Sequence, residues 1–326
     1  MIDLSNNENT LLSHEFNTLN HNLICKYPCD NEYLLKNELA KIHNVSSNNI
    51  TLGCGSSDVI YRTFIALNFL AKEQKKELNL IVPMPTFDLI LSIAKALKIK
   101  ITYINELVLD VKKIIPNEGF INLIYITNPN NPSANELSQD DLDYLTKLCV
   151  GNTYMILDEA YAEYNVNFKS IKKAYFKNII ITRTFSKIYA LAGLRIGYGI
   201  ACEELLQYID KFILIDNINY YALYCALEVL KNDDFINISR KLTLQNKAIL
   251  ENAFNELDIK YFKSNVNFIL HEIKDEKYSD FMLELGIKVG RKIANYPLLN
   301  RISVGNINEI EQFLKALKLA KDKALV

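Results

Sequence analysis

Five short polar clusters carry the residue types that can do chemistry, and each follows directly on an apolar run. Lys187 closes the run Thr184-Phe185-Ser186-Lys187, and Arg195 follows after seven intervening residues. A lysine that condenses with carbonyl compounds needs a dry, enclosed place that lowers its hold on a proton. The hydroxyls of Thr184 and Ser186 with the guanidinium of Arg195 form a donor set suited to a dianionic phosphate. Taken singly, a lysine is more often a solvated surface residue; the spaced combination is what points to chemistry. Asp158 follows the apolar residues 154–157. Its carboxylate therefore starts half buried and needs a charged or hydrogen-bonding partner. It reads as a helix N-cap or as a carboxylate facing a ring-nitrogen cation, and spacing does not choose between them. In Gly53-Cys54-Gly55-Ser56-Ser57, glycines precede small hydroxyl residues at the start of an amphipathic stretch. Such a turn exposes backbone N–H groups to a phosphate, or simply joins a strand to a serine-capped helix.

The elements that position these clusters follow from the apolar runs at 50–52, 78–82, 121–126, 154–157 and 179–181. Short, unalternating runs separated by helical patterns predict buried strands of a largely parallel sheet. The polar clusters then share the carboxyl edge of the sheet, where open α/β folds bind ligands. Past about residue 215 the pattern becomes a long helical region, with short strands near 267–271 and 301–304. The expected fold is α/β: a three-layer large domain over residues 28–215, and a smaller α+β domain from residues 1–27 and 216–326.

Bulk properties narrow the function. A net charge of -1 over 326 residues gives no basic field for nucleic acid. No apolar run approaches the ~18 residues of a membrane span. The first residues, MIDLSNNENT, lack a signal peptide's basic and apolar regions. The six cysteines form no CxxC pair, so no metal is expected, and they read as mostly buried thiols of a cytoplasmic protein. Only six of the 37 basic residues are arginine: Arg62, Arg183, Arg195, Arg240, Arg291 and Arg301. Where arginine replaces lysine, its planar fork suits a phosphate or carboxylate.

The segment from Arg183 to Tyr198, Arg183-Thr184-Phe185-Ser186-Lys187 through Gly193-Leu194-Arg195, closely resembles the cofactor-lysine segment of histidinol-phosphate aminotransferases. Asp158-Glu159-Ala160-Tyr161 and Asn128-Pro129-Asn130-Asn131-Pro132 are similar to that family's other two signatures, in its order and spacing. Tyr27-Pro28, Gly55-Ser56-Ser57-Asp58, Pro85-Thr86-Phe87, Asn267-Phe268-Ile269-Leu270 and Arg301-Ile302-Ser303-Val304-Gly305 extend the match over nearly the whole chain. The resemblance implies the aspartate-aminotransferase fold (fold type I) and pyridoxal 5'-phosphate held by Lys187 as a Schiff base. It further implies that Asp158 keeps the pyridine nitrogen protonated and that Asn131 and Tyr161 hydrogen-bond the ring's 3′ oxygen. Phe87 stacks on the ring. The resemblance also implies that Ser56, Ser57, Thr184, Ser186 and Arg195 hold the phosphate, and that Tyr27 reaches the cofactor phosphate of a neighbouring subunit in a homodimer with shared sites. By the same resemblance Arg301 is expected to bind a substrate anion, the other reading being a surface ion-pair partner. Arg291 is a second anion binder or a surface ion-pair partner, and Asn267 touches the substrate carboxylate or caps a strand end.

Three departures bear on the substrate. Asn7-Glu8-Asn9 lies almost at the start, where the family often has a preceding arm that closes the pocket. Ala134 replaces a family glycine, and Phe87 replaces a common tyrosine. The expected activity is ping-pong transamination. An amino group passes, with glutamate as donor, to a small phosphorylated keto or aldehyde substrate: the histidinol-phosphate partner or a three-carbon phosphate. The alternative on the same scaffold is decarboxylation of a phosphorylated amino acid.

Overall fold

The computed structural model describes residues 1–16, 22, 25–171 and 177–326. Its strands are β1 (Ile2–Asp3), β2 (Ile50–Gly53), β3 (Leu78–Met84), β4 (Lys100–Asn105), β5 (Ile121–Thr127), β6 (Thr153–Asp158), β7 (Ile179–Thr184), β8 (Gly197–Ile200), β9 (Phe268–Glu272), β10 (Ile287–Lys288) and β11 (Leu299–Ser303). Its α-helices are α1 (Cys29–Ile42), α2 (Ser56–Glu73), α3 (Leu89–Ala96), α4 (Gln139–Leu148), α5 (Glu203–Ile209), α6 (Tyr220–Leu230), α7 (Asp233–Glu256), α8 (Tyr278–Glu284) and α9 (Ile307–Asp322).

Seven strands form one sheet in the order β2-β8-β7-β6-β5-β3-β4. β8 runs antiparallel to both neighbours, and the other pairs are parallel. Burial on two faces explains the unbroken apolar runs. Along β5, Leu123 and Tyr125 pack with Val59, Ile60 and Phe64 of α2, while Ile124 and Ile126 pack with α1, α4 and α6. Successive side chains point to opposite faces, so one run of residues supplies two cores. This is the expected three-layer α/β unit, with a mostly parallel sheet.

A third core joins Leu4, Phe254 of α7, Ile269 of β9, Ile302 of β11 and Phe313 of α9. β9 and β11 pair antiparallel, and β1 pairs with β10, so the first residues belong to this smaller layer. The expected boundary at 215/216 falls just before α6, whose Ala222, Leu223 and Ala226 pack in the core of the large unit. The cysteines depart from expectation. Cys149 and Cys225 are buried, but Cys25 and Cys54 are exposed. Cys54 sits in the turn between β2 and α2, where its backbone N–H, and not its thiol, is bonded, to Asp58. Among the described residues no helix is long and apolar enough to cross a membrane.

The turn after β5 is tight. Asn130 N–H donates to the Asn135 carbonyl and Ala134 N–H to that of Asn130, with Ala134 in the left-handed region at φ 61°. A Cβ is unfavourable there, whereas glycine is at ease. Ala134→Gly should therefore raise the unfolding free energy by about 1 kcal/mol, part of the relief being offset by the looser unfolded chain. Urea denaturation checks this; an unchanged or lower midpoint would mean that the left-handed turn carries no strain.

Candidate active site

At the carboxyl edge of the sheet a cavity of about 670 Å³ opens between the large unit and the β9–β11 layer. Parallel strands bring their ends together there. β6 contributes Asp158, β7 leads into Thr184, Ser186 and Lys187, and β2 leads into Ser56 and Ser57 at the start of α2. Phe87 follows β3, Asn131 follows β5, and Arg301 enters from β11. Tyr161, Arg195 and Arg291 complete the expected residues that line it. Two expected residues do not. Tyr27, expected at the cofactor of a neighbouring subunit and not at this one, is 82% exposed. Asn267 is buried and gives its side-chain N–H groups to the carbonyls of Asn7 and Glu8, so it braces the N-terminal segment.

Asp158 is 5% exposed. Burial pushes its carboxyl above the usual carboxylate range, opposed by hydrogen bonds from Tyr125, Thr182 and the backbone of Ala160 and by the charge of Lys187. Tyr125 Oη donates to Oδ2 at 2.8 Å and Thr182 Oγ1 to Oδ1 at 3.1 Å. These donors are neutral, so the carboxylate lacks a bonded cation among the described residues. A cationic group in the cavity would stabilise its charged form.

The phosphate-type cluster is equally specific. Arg195 donates to Ser186 Oγ at 3.3 Å, and Thr184 Oγ1 to Ser186 Oγ at 2.9 Å. Gly55 sits at φ 77°, and a Cβ there would lie 2.5 Å from an Arg195 guanidinium nitrogen. Glycine thus lets the guanidinium lie against the first turn of α2, whose free N–H groups favour anions. Buried Arg62 fixes this turn from behind, donating to the Leu52 carbonyl at 2.6 Å and to Asp210 at 2.5 Å. A ring with a basic nitrogen, a phosphate arm and an aldehyde facing Lys187 fits this donor set.

The contacts that join these residues to the N-terminal segment and to one another carry no local sequence signal. Lys187 Nζ donates to the carbonyls of Asn6 and Asn7 at 3.0 and 3.2 Å. Asn7 donates through Nδ2 to Tyr161 Oη at 3.0 Å. Arg301 donates to Asn131 Oδ1 at 2.5 Å and to the Ser5 carbonyl. Lys288 also lines the cavity, paired with Asp3, and Arg291 is paired with Asp88 at 2.7 Å. The Asn-Glu-Asn run marked the N-terminal segment, but nothing local in it shows contact with residues 150 to 300 positions away.

The family model described as aminotransferase class I and II matches residues 2–317. Histidinol-phosphate aminotransferase 1 of Nitrosococcus oceani is 32% identical over 305 residues, covering 90% of this chain and 80% of that protein. Histidinol-phosphate aminotransferase 2 of Legionella pneumophila (strain Paris) is 34% identical over 204 residues, so the aligned stretch spans 60% of this chain and only 55% of that relative. Among solved structures, histidinol-phosphate aminotransferase from Sinorhizobium meliloti, in complex with pyridoxal-5'-phosphate, has a TM-score of 0.86 at 19% identity, covering 99% of this chain and 91% of that one. L-threonine-O-3-phosphate decarboxylase from Porphyromonas gingivalis has a TM-score of 0.81 at 21% identity, covering 99% and 100%. Both structures share the fold.

Asp158 yields a pH-dependent test. A carboxyl raised on folding costs nothing while protonated in both states; the penalty grows as pH rises from its unfolded value through its folded one. In the cofactor-free protein Asp158→Asn should therefore unfold at higher urea than the parent near neutral pH. The gap should close as pH falls through the ordinary carboxylate range. A gap independent of pH would show that the carboxylate is not strained by burial.

Proposed function

Since the chain belongs to the class I and II aminotransferases, we propose that it is a pyridoxal-phosphate-dependent transaminase acting on a small phosphorylated substrate. The observation that carries this reading is the meeting of Lys187, cation-free Asp158 and the Thr184–Ser186–Arg195 cluster in one cavity. When bound, pyridoxal phosphate supplies an aldehyde for the substrate amine and a cationic ring that accepts electron density from Cα.

This chain's residues supply the rest. Arg195, Ser186, Thr184, Ser56 and Ser57 bind the phosphate, and Asp158 holds a proton on the ring nitrogen. Phe87 covers a ring face. Lys187 takes a proton at Cα and returns it at the adjoining carbon. Arg301 has donors only, so its bond to Asn131 Oδ1 turns the Asn131 amide nitrogen outward as a free donor for the ring oxygen. Arg301 binds the carboxylate of the donor, which we take to be glutamate. Exposed Arg291 and Lys288 carry a second, phosphorylated anion by exchanging their partners Asp88 and Asp3. The names of the relatives favour the histidinol-phosphate pair, with a three-carbon phosphate as the smaller candidate. Tyr27, Tyr33, Leu34, Leu214 and Ile215 are large, apolar and exposed around α1 and the approach to α6, which supports a homodimer burying them.

Decarboxylation of a phosphorylated amino acid is the second reading, supported by the full-length likeness to the Porphyromonas gingivalis decarboxylase fold. The same residues serve it, because the outcome depends on which Cα bond the bound anions hold perpendicular to the ring.

The test is a screen of amino donors and phosphorylated acceptors with the cofactor-loaded protein. The expected result is keto-acid release from glutamate alone and amination of a phosphorylated acceptor in a second half-reaction. Carbon dioxide release without an acceptor would replace this reading by the second. Lys187→Ala should lower turnover by at least about 10³-fold. Arg301→Met should raise KM for the donor by roughly 10- to 100-fold, the loss of a charge-assisted bidentate contact of ~1.5–3 kcal/mol. An unchanged donor KM in Arg301→Met would move carboxylate recognition elsewhere.

A further inference from the structure

Asn7 is 1% exposed and in the left-handed region at φ 53°. Each of its polar groups is used. Its backbone N–H donates to Ser303 Oγ at 2.9 Å, and Ser303 Oγ donates back to Asn7 Oδ1 at 3.1 Å. Its carbonyl accepts from Lys187 Nζ at 3.2 Å and from Asn267 Nδ2 at 3.1 Å. Its Nδ2 donates to Tyr161 Oη at 3.0 Å. The exchange with Ser303 keeps the amide oxygen away from Tyr161 and the amide nitrogen toward it.

An amide nitrogen is a donor and never an acceptor. Tyr161 Oη therefore receives a proton from Asn7 and cannot give its own back. Among the described residues no other acceptor takes the phenol proton, and Tyr161 lines the cavity. The groups facing Tyr161 are Lys187, with Nζ 5.5 Å from the ring centre, Arg301 from β11, Asp158 and Tyr125 from β6 and β5, and Tyr164. Lys187 and Arg301 are donors, and the Asp158 carboxylate already holds Tyr125 and Thr182.

We propose that Asn7 is a positioning residue that aims the Tyr161 hydroxyl proton into the cavity, at the ring oxygen of the cofactor. This rests on the transaminase reading. A phenol that donates to the ring oxygen stabilises negative charge there, so the adjoining proton is released at lower pH. Taking that donor away makes the proton harder to lose.

The test is a pH titration of the bound cofactor's absorbance. Asn7→Asp keeps shape and tolerates the left-handed backbone, but offers Tyr161 an acceptor in place of a donor. The expected result is an upward shift of the midpoint by about one pH unit, in the direction of Tyr161→Phe. In a Tyr161→Phe background, Asn7→Asp should add no comparable shift. An equal shift in that background would show that the new charge acts directly and would overturn the proposal. So would an Asn7→Asp midpoint matching the parent while Tyr161→Phe moves. If Asn7→Asp fails to fold, Ser303→Ala, which frees the amide to turn, carries the same cycle with the same sign. A parent protein that develops no cofactor absorbance would sink the transaminase reading itself, a result distinct from an unmoved midpoint.

Discussion

Two adjacent carboxylates at the end of β6 have opposite fates, and the site depends on the difference. Glu159 is fully buried and meets Arg183, whose Nε and Nη2 donate to one carboxylate oxygen at 3.0 and 2.6 Å. Burial works against the guanidinium, but Glu159 and Glu163 hold it charged, above its ordinary range. Removing one partner of such a pair costs about 3–5 kcal/mol, because the other is left charged in a poor solvent. Asp158 points to the other face and has only neutral donors. The protein thus builds one complete ion pair behind the sheet edge and leaves one half-built in front. A cationic group placed beside Asp158 would gain the Coulomb energy that the fold forgoes.

The N-terminal segment then matters more than its length suggests. Leu4 is set in the core of the small layer by the β1–β10 pairing. Residues 5–9 cross the cavity mouth and reach both sides of it. Arg301 holds the Ser5 carbonyl, Lys187 those of Asn6 and Asn7, and Asn9 Nδ2 that of Ile188 at 2.9 Å. Backbone carbonyls are modest acceptors for an ammonium. They hold the lysine amine inside the cavity without pairing it, among the described residues, with a carboxylate.

The legibility of all this differed by element. The runs at β2, β3, β5, β6 and β7 were readable because burial on both faces demands apolar residues at every position. β4 and β8 were not: β4, at the sheet edge, buries only Ile104 and leaves its other residues exposed or half-buried, and β8 holds two glycines. Gly197 is required there, since a Cβ would fall 2.2 Å from the Ser56 backbone nitrogen. Arginine scarcity was a useful signal with a wider meaning than ligand binding. Arg195, Arg291 and Arg301 line the cavity, whereas Arg62 and Arg183 spend their forks on the protein's own acceptors. Tyr125 was hidden because a tyrosine in an apolar run looks like packing until the strand's pleat shows where its hydroxyl ends. Asn7 was hidden because its conformation and its partners are set by tertiary contacts.

Arg301 shows how these features act together on an incoming anion. Burial pushes its guanidinium below the ordinary arginine range, and its Nε has no partner. Its other nitrogens hold Asn131 Oδ1 and the Ser5 carbonyl, both neutral. An anion in the cavity would give this cation a charged partner, and bonds between charged groups are about twice as strong as neutral ones. The same guanidinium thus ties two parts of the cavity wall: the Asn131 amide, whose nitrogen it turns outward, and the backbone at Ser5, which runs on into the residues that bond Lys187. A few contiguous bonds therefore join the Arg301 guanidinium to the Lys187 amine.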